Sequence, residues 1–302
     1  MRAAALFFSG EGRLRAPWRL LLFAAAVVAG LAVAQGIAYP MASALAGAVG
    51  VRLAAEPWLL ALALIVAHAL VVYWVERGAW RVVWLDGVAA RPRALLRGLA
   101  LGVLAISVPM LLLLGAGWLR VEPADDGSWW EAAWRLTLLL APAALWEELA
   151  FRGYLFAVLR DLGGDVTALI TTSVAFGLIH LSNPGADARS TTLVVLAGLF
   201  LGAVLLATRS LYAAWMAHLG WNWTMAVLFH TAVSGLPLAA PDYRTVDAGP
   251  DWATGGVWGP EGGAGAALGM TAGMLYLRTR RGRAPLFTDV FARRAGRGEL
   301  SE

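Results

Sequence analysis

Residues Ala143-Ala-Leu-Trp-Glu-Glu-Leu-Ala-Phe-Arg-Gly-Tyr-Leu-Phe156 place two carboxylates, Glu147 and Glu148, and one guanidinium, Arg152, inside one of the most apolar stretches of the chain. The stretch reads as a membrane-spanning helix. Ionisable groups near the middle of such a helix cost several kcal/mol, about 3 or more each, unless they are paired or face a wet cavity. Stability alone would replace them with leucine, so the reading is a functional site buried in a membrane protein.

The rest of the chain agrees. It has 302 residues, of which 60% are hydrophobic and 15% charged, against about 25% charge in a soluble domain. Windows of about 20 apolar residues predict spans over residues 19–39, 58–75, 98–118, 134–159, 166–182, 192–208, 211–230 and 262–277. The fold class expected is therefore all-α, a polytopic bundle of about eight transmembrane helices. All 24 basic residues are arginine. With both termini inside, 18 of them (Arg2 to Arg19, Arg77 to Arg97, Arg160, Arg209 and the tail from Arg278) fall on the inner side. Arg52, Arg120, Arg135, Arg189 and Arg244 fall outside, an asymmetry that follows the positive-inside rule. This charge orients a membrane protein and gives no reason to expect nucleic acid as a partner. Membrane lipids are expected partners; the basic tail reads first as a topology anchor, with contact to anionic lipid as the alternative.

Residues 1–18 read as a cytoplasmic segment, with no signal-peptide pattern. Residues 19–133 form three helices and loops, 134–230 the bundle richest in misplaced polar residues, 231–261 an irregular outer Gly/Pro-rich loop, and 262–302 a last helix with its basic tail. Gly198/Gly202 and Gly265/Gly269/Gly273 have a spacing that lets helices approach closely. The sequence contains no cysteine, which excludes disulfides and a cysteine nucleophile.

Three sets of polar residues stand out. Glu148 and Arg152, four apart, share a helix face and can pair; Glu147 is rotated about 100° away and is left free. His180 closes Phe176-Gly-Leu-Ile-His180, and His218 and Asn222 lie four apart in Trp215-Met-Ala-His-Leu-Gly-Trp-Asn222. His68 and His230 lack such companions and read as structural. One alternative is an ion cluster that only locks the bundle.

Glu147-Glu148-x-x-x-Arg152, Phe176-x-x-x-His180 and His218-x-x-x-Asn222 together resemble the three motifs of the CPBP intramembrane protease family, which includes CAAX prenyl endopeptidases and bacterial Abi-type proteins. The resemblance covers about residues 134–230. It implies hydrolysis of a peptide bond in a membrane-associated peptide or protein. With no cysteine, and no serine or aspartate within the motifs, water is the simplest nucleophile. Glu147 would then be its base and His180 its positioner, with His218 and Asn222 as oxyanion donors. Glu148, Arg152 and Phe176 are supporting residues. A zinc site built from His180, His218 and either Glu147 or Glu148 competes with this arrangement. A proton-coupled transporter and a non-catalytic membrane immunity or scaffold protein are the rival functions. Arginine-only basicity with heavy Ala, Gly and Leu usage suggests a bacterial inner membrane. Helix rise puts His218 some distance, about 10–15 Å, from the depth of Glu147 and His180, so a shared site demands helix tilt, a recessed start to the seventh span, or span boundaries displaced by several residues.

Overall fold

The computed structural model describes residues 4–10, 12–48, 55–124, 126–238 and 241–281. Arg52, Asp125 and the basic tail from residue 282 lie outside them. Eight long helices form the body: α1 (Ala16–Val33, continued through a π turn into Tyr39–Ala48), α2 (Glu56–Trp74), α3 (Pro92–Gly115), α4 (Trp129–Arg152), α5 (Tyr154–Ile179), α6 (Ala188–Thr208), α7 (Leu211–Trp223) and α8 (Ala264–Arg281). Two short strands, β1 (Leu119–Pro123) and β2 (Tyr243–Asp247), pair antiparallel, with Val121 opposite Thr245. The protein is an all-α bundle with this one small ribbon.

Five stretches are both long and apolar enough to cross a membrane: 16–45, 56–74, 92–115, 129–182 (which contains α4 and α5) and 188–208. Leu21, Leu22, Val28, Ile65, Tyr73, Trp74, Leu111 and Leu112 are exposed on α1 to α3, as side chains facing lipid would be. α7 has only 13 residues before it passes into the π turn Thr224–Leu228. α8 mixes five residues of glycine and threonine with Arg278 in its described length. Neither joins the long apolar set; where eight spans were expected there are eight long helices, six of them within the five span-like stretches.

The expected fourth span, 134–159, is two elements. α4 ends at Arg152, and the chain turns at Gly153 (φ −84°, ψ −127°) into α5. Three interactions hold this break. Tyr154 N–H donates to His68 Nε2 at 3.0 Å, while His68 Nδ1 contacts Leu64 O at 2.7 Å. A carbonyl only accepts, so Nδ1 carries the proton and Nε2 is left as the acceptor. The Tyr154 hydroxyl donates to Glu76 Oε1 at 2.7 Å. A side chain at position 153 would run into the His68 ring, so glycine is required by this approach. α5 kinks at Gly164, whose φ is +80°, so the predicted span 166–182 is its second half.

Arg19 lies buried between Glu76 (2.7 Å) and Asp161 (2.9 Å). This cluster ties α1, α2 and α5 together beneath the break.

α7 starts inside the protein. Ser210 is fully buried; its hydroxyl caps Ala213 N at 3.1 Å and donates to Ala89 O at 2.6 Å, and Leu211 N–H donates to Trp84 O at 3.1 Å. The loop between α2 and α3 therefore forms a floor on which α7 is raised. Alongside it, Gly98 and Gly102 of α3 lie against the backbone of Ala213 and Ala217, with no room for a Cβ at either position. This close seat fixes the height of α7 by backbone contact.

Segment 231–261, read from sequence as an irregular loop, is folded into the bundle. β2 zips it to β1, and a run of tight turns over 251–263 brings Trp258 into a cluster with Phe151, Phe176 and Val194. α6 begins on a capping box in which Asp187 accepts from Ser190 N at 2.6 Å and Ser190 Oγ accepts from Asp187 N at 2.9 Å. That hydrogen bond holds the Asp187 carboxyl below its usual pKa.

Candidate active site

α4, the end of α5 and the middle of α7 converge on Glu147. Its Oε2 lies 4.0 Å from His180 Nε2 and 3.8 Å from His218 Nε2. The separation in depth expected from sequence is closed by the raised start of α7.

Glu148 and Arg152 are completely buried and pair at 3.0 Å, Arg152 NH1 to Glu148 Oε1. Arg152 NH2 also donates to Gly198 O at 3.1 Å, and its guanidinium lies 4.3 Å from the centre of the Phe176 ring. A buried charge without a partner is strongly destabilising, so this pairing is what allows Arg152 its place in the core. Glu148 has a second task, since His218 Nδ1 stands 2.9 Å from the same Oε1.

Both imidazoles are oriented from behind. His180 Nδ1 donates to Phe176 O at 2.7 Å, and His218 Nδ1 faces the Glu148 carboxylate. A carbonyl and a carboxylate are acceptors only, so each Nδ1 carries a proton and each Nε2 faces Glu147. Phe176 packs under both rings, its centroid 4.7 Å from His180 and 5.9 Å from His218.

Glu147 Oε2 is buried and has no hydrogen-bond partner in the protein. A water about 2.8 Å from that oxygen and from either facing Nε2 would make an angle near 90° between them, within hydrogen-bonding range. The carboxylate opens onto a vestibule of about 730 Å³ whose lining includes Leu139, Trp146, His180, Asn222 and Leu236. A largely apolar cavity of this size with a few convergent polar groups suits a small ligand or a stretch of peptide.

Asn222 thus shares a cavity with Glu147 and His180, and a second, smaller cavity with His180 and His218. His68 and His230 are not in the site. His68 holds the helix break, and His230 stacks on Tyr243 at 3.8 Å between centroids.

Sequence reasoning missed Trp258, which packs against Phe151 and Phe176, and Glu261, a buried carboxylate 3.2 Å from Trp221 Nε1. The one available signal was an acid and a tryptophan embedded in Trp258-Gly-Pro-Glu-Gly-Gly263, where a solvated loop would have no use for the tryptophan.

Zinc ligands at about 2.0–2.2 Å from the ion put neighbouring donors about 3.3 Å apart; those around Glu147 are wider, and Glu148 is committed to Arg152 and His218. Among the described residues no group of three His, Asp or Glu side chains is arranged to hold a metal ion. As they stand, these donors are set wider apart than the ligands of a zinc ion.

Comparison with known families supplies the class. Residues 128–224 match the family model described as Type II CAAX prenyl endopeptidase Rce1-like. Over this third of the chain the protein is similar to the CPBP/CAAX protease family, a likeness that, with helices apolar enough to cross a membrane, points to a membrane protease acting on a peptide or protein substrate. No curated protein and no solved structure matches the chain.

Proposed function

We propose that the protein is an intramembrane endopeptidase that cleaves a membrane-associated peptide or protein by attack of a water activated by Glu147, without a metal. The observation that carries this reading is the buried, unpartnered Glu147 Oε2, faced at 4.0 and 3.8 Å by two imidazole Nε2 atoms.

The substrate's scissile bond enters the apolar vestibule. Glu147 takes a proton from water as the oxygen attacks the carbonyl carbon, and His180 holds that water in line. Negative charge then develops on the carbonyl oxygen. Asn222 donates to it through its side-chain amide. His218 can donate only from Nε2, because its Nδ1 proton is engaged, so it acts in the doubly protonated form with Glu148 balancing the charge. Each such donor contributes about 3–4 kcal/mol in a water-poor site. The proton held by Glu147 passes to the leaving amine, the C–N bond breaks, and the carboxylate is restored. Arg152 takes no proton; it keeps Glu148 ionised and α4 in place.

Purified protein incubated with a library of apolar, membrane-associated peptides, with and without chelator, tests this. Cleavage is expected to survive the chelator and to be lost in Glu147→Gln. Full activity in that variant would sink the glutamate mechanism, and loss of activity on chelation would restore the metal.

A further inference from the structure

Behind the site lies a second cavity of about 30 Å³, lined by His180, His218, Asn222, Ser234 and Glu261 among apolar side chains such as Phe200 and Met270. His180, Asn222 and Ser234 also line the vestibule, so they form the wall between the two spaces. Glu261 is the residue without an assigned task. It is 8% exposed, its Oε2 accepts from Trp221 Nε1 at 3.2 Å, and its Oε1 is buried without a partner. A buried carboxylate oxygen left unpaired costs about 1–3 kcal/mol or more, and in the described structure nothing else is offered to it.

The position is constructed at some expense. Gly255 and Gly259 take φ of +90° and +96°, values open to glycine and strained for other residues. The turns they permit deliver Trp258 and Glu261 to the back of α7. Trp221 is the neighbour of Asn222 in sequence, so the hydrogen bond to Glu261 also anchors the helix turn that carries the amide.

We infer that Glu261 is a positioning residue of the catalytic site: its free oxygen holds water in the inner cavity, and that water fixes the Asn222 side chain, and through it the donor geometry, for the transition state. A cavity of 30 Å³ exceeds the roughly 10–15 Å³ that one water needs, and a buried water takes about three hydrogen bonds. Glu261, Asn222 and Ser234 supply that number, while the ring nitrogens of both histidines are engaged elsewhere. The carboxylate does not touch the reacting atoms, and it comes from outside residues 128–224, the segment that matches the family model.

The inference rests on the hydrolase reading above, and the test separates the two. Glu261→Leu, similar in size but unable to hold water, is compared with Glu261→Gln, which keeps both an acceptor for Trp221 and a polar group toward the cavity. Glu147→Gln serves as the control. With a cleaved peptide as substrate, Glu261→Leu is expected to lower kcat about tenfold or more with KM changed less than about twofold, and with a melting midpoint in detergent close to the parent's, because removal of the unpaired Oε1 offsets the stranded Trp221 N–H. Glu261→Gln should recover kcat to within about threefold of the parent. Three results overturn the proposal: a Leu variant with kcat within twofold of the parent, a loss of kcat matched by a lowered melting midpoint, or a Gln variant as impaired as the Leu variant. An active Glu147→Gln protein would instead overturn the hydrolase reading itself.

Discussion

Among the described residues two arginines are buried, and the protein treats them differently. Arg19 sits between Glu76 and Asp161, and both oxygens of Glu76 are taken, one by Arg19 and Tyr154 and the other by Arg13 at 3.4 Å; Arg19 Nη2 makes no aligned hydrogen bond but lies 2.7 Å from Glu76 Oε1. Arg152 sits against a carboxylate that is shared with a histidine, and around it Glu147 Oε2, Glu148 Oε2 and Arg152 Nε are buried with no partner. Clusters of the first kind join helices. Those of the second kind bear polar atoms whose desolvation is uncompensated until something binds, and that surplus is the physical mark of a site built for water and substrate.

The comparison can be broken at either end. The largest effect is expected at Glu147. Glu147→Gln should reduce the rate of peptide cleavage by about 10²–10⁴, the usual contribution of a general base, with the melting midpoint in detergent unchanged, because its lost oxygen has no partner to strand. Next comes Arg152→Met, which strips Glu148 of its guanidinium and leaves it buried against His218. Thermal or denaturant unfolding should show a loss of about 3–5 kcal/mol, and cleavage should fall with it as Glu148 ceases to hold His218. Adding Glu148→Gln to Arg152→Met should return much of the stability and none of the activity; recovery of cleavage would show that the pair only braces the helix.

Arg19→Met should also destabilise, by about 1–3 kcal/mol, since Arg13 and Tyr154 remain beside Glu76. The specific activity of the folded fraction should be unchanged. A selective fall in kcat at constant stability would dissolve the distinction between the two clusters. The smallest effect is expected at His68. His68→Ala strands Tyr154 N–H and should cost about 1–2 kcal/mol, which an acceptor in His68→Asn would partly recover, with cleavage by folded protein retained in both.

Much of this was legible in the chain. Period and spacing alone showed that Glu148 pairs with Arg152 and leaves Glu147 free, because those relations lie within one helix. Placement of His180 over Phe176 followed from the same four-residue step. What could not be read were contacts set by distant segments. The floor under Ser210 is formed by residues more than a hundred positions earlier, and that floor together with the Gly98/Gly102 seat sets the height of His218. Gly153 was absorbed into a continuous apolar run, because hydropathy registers composition and is blind to a helix break whose cap comes from His68. Likewise β1 and β2 are too short and too far apart to announce their pairing, so the segment that brings Glu261 to the site looked like a loop.

The recessed start of α7 bears on modularity. The residues that define the family lie within about a third of the chain, yet the height of His218 and Asn222 is dictated by Ala89, Trp84, Gly98 and Gly102, all upstream of it. A graft of residues 128–224 into another helical host would transplant the chemistry and omit the shim that levels it. The unit of inheritance and the unit of working geometry have different borders here.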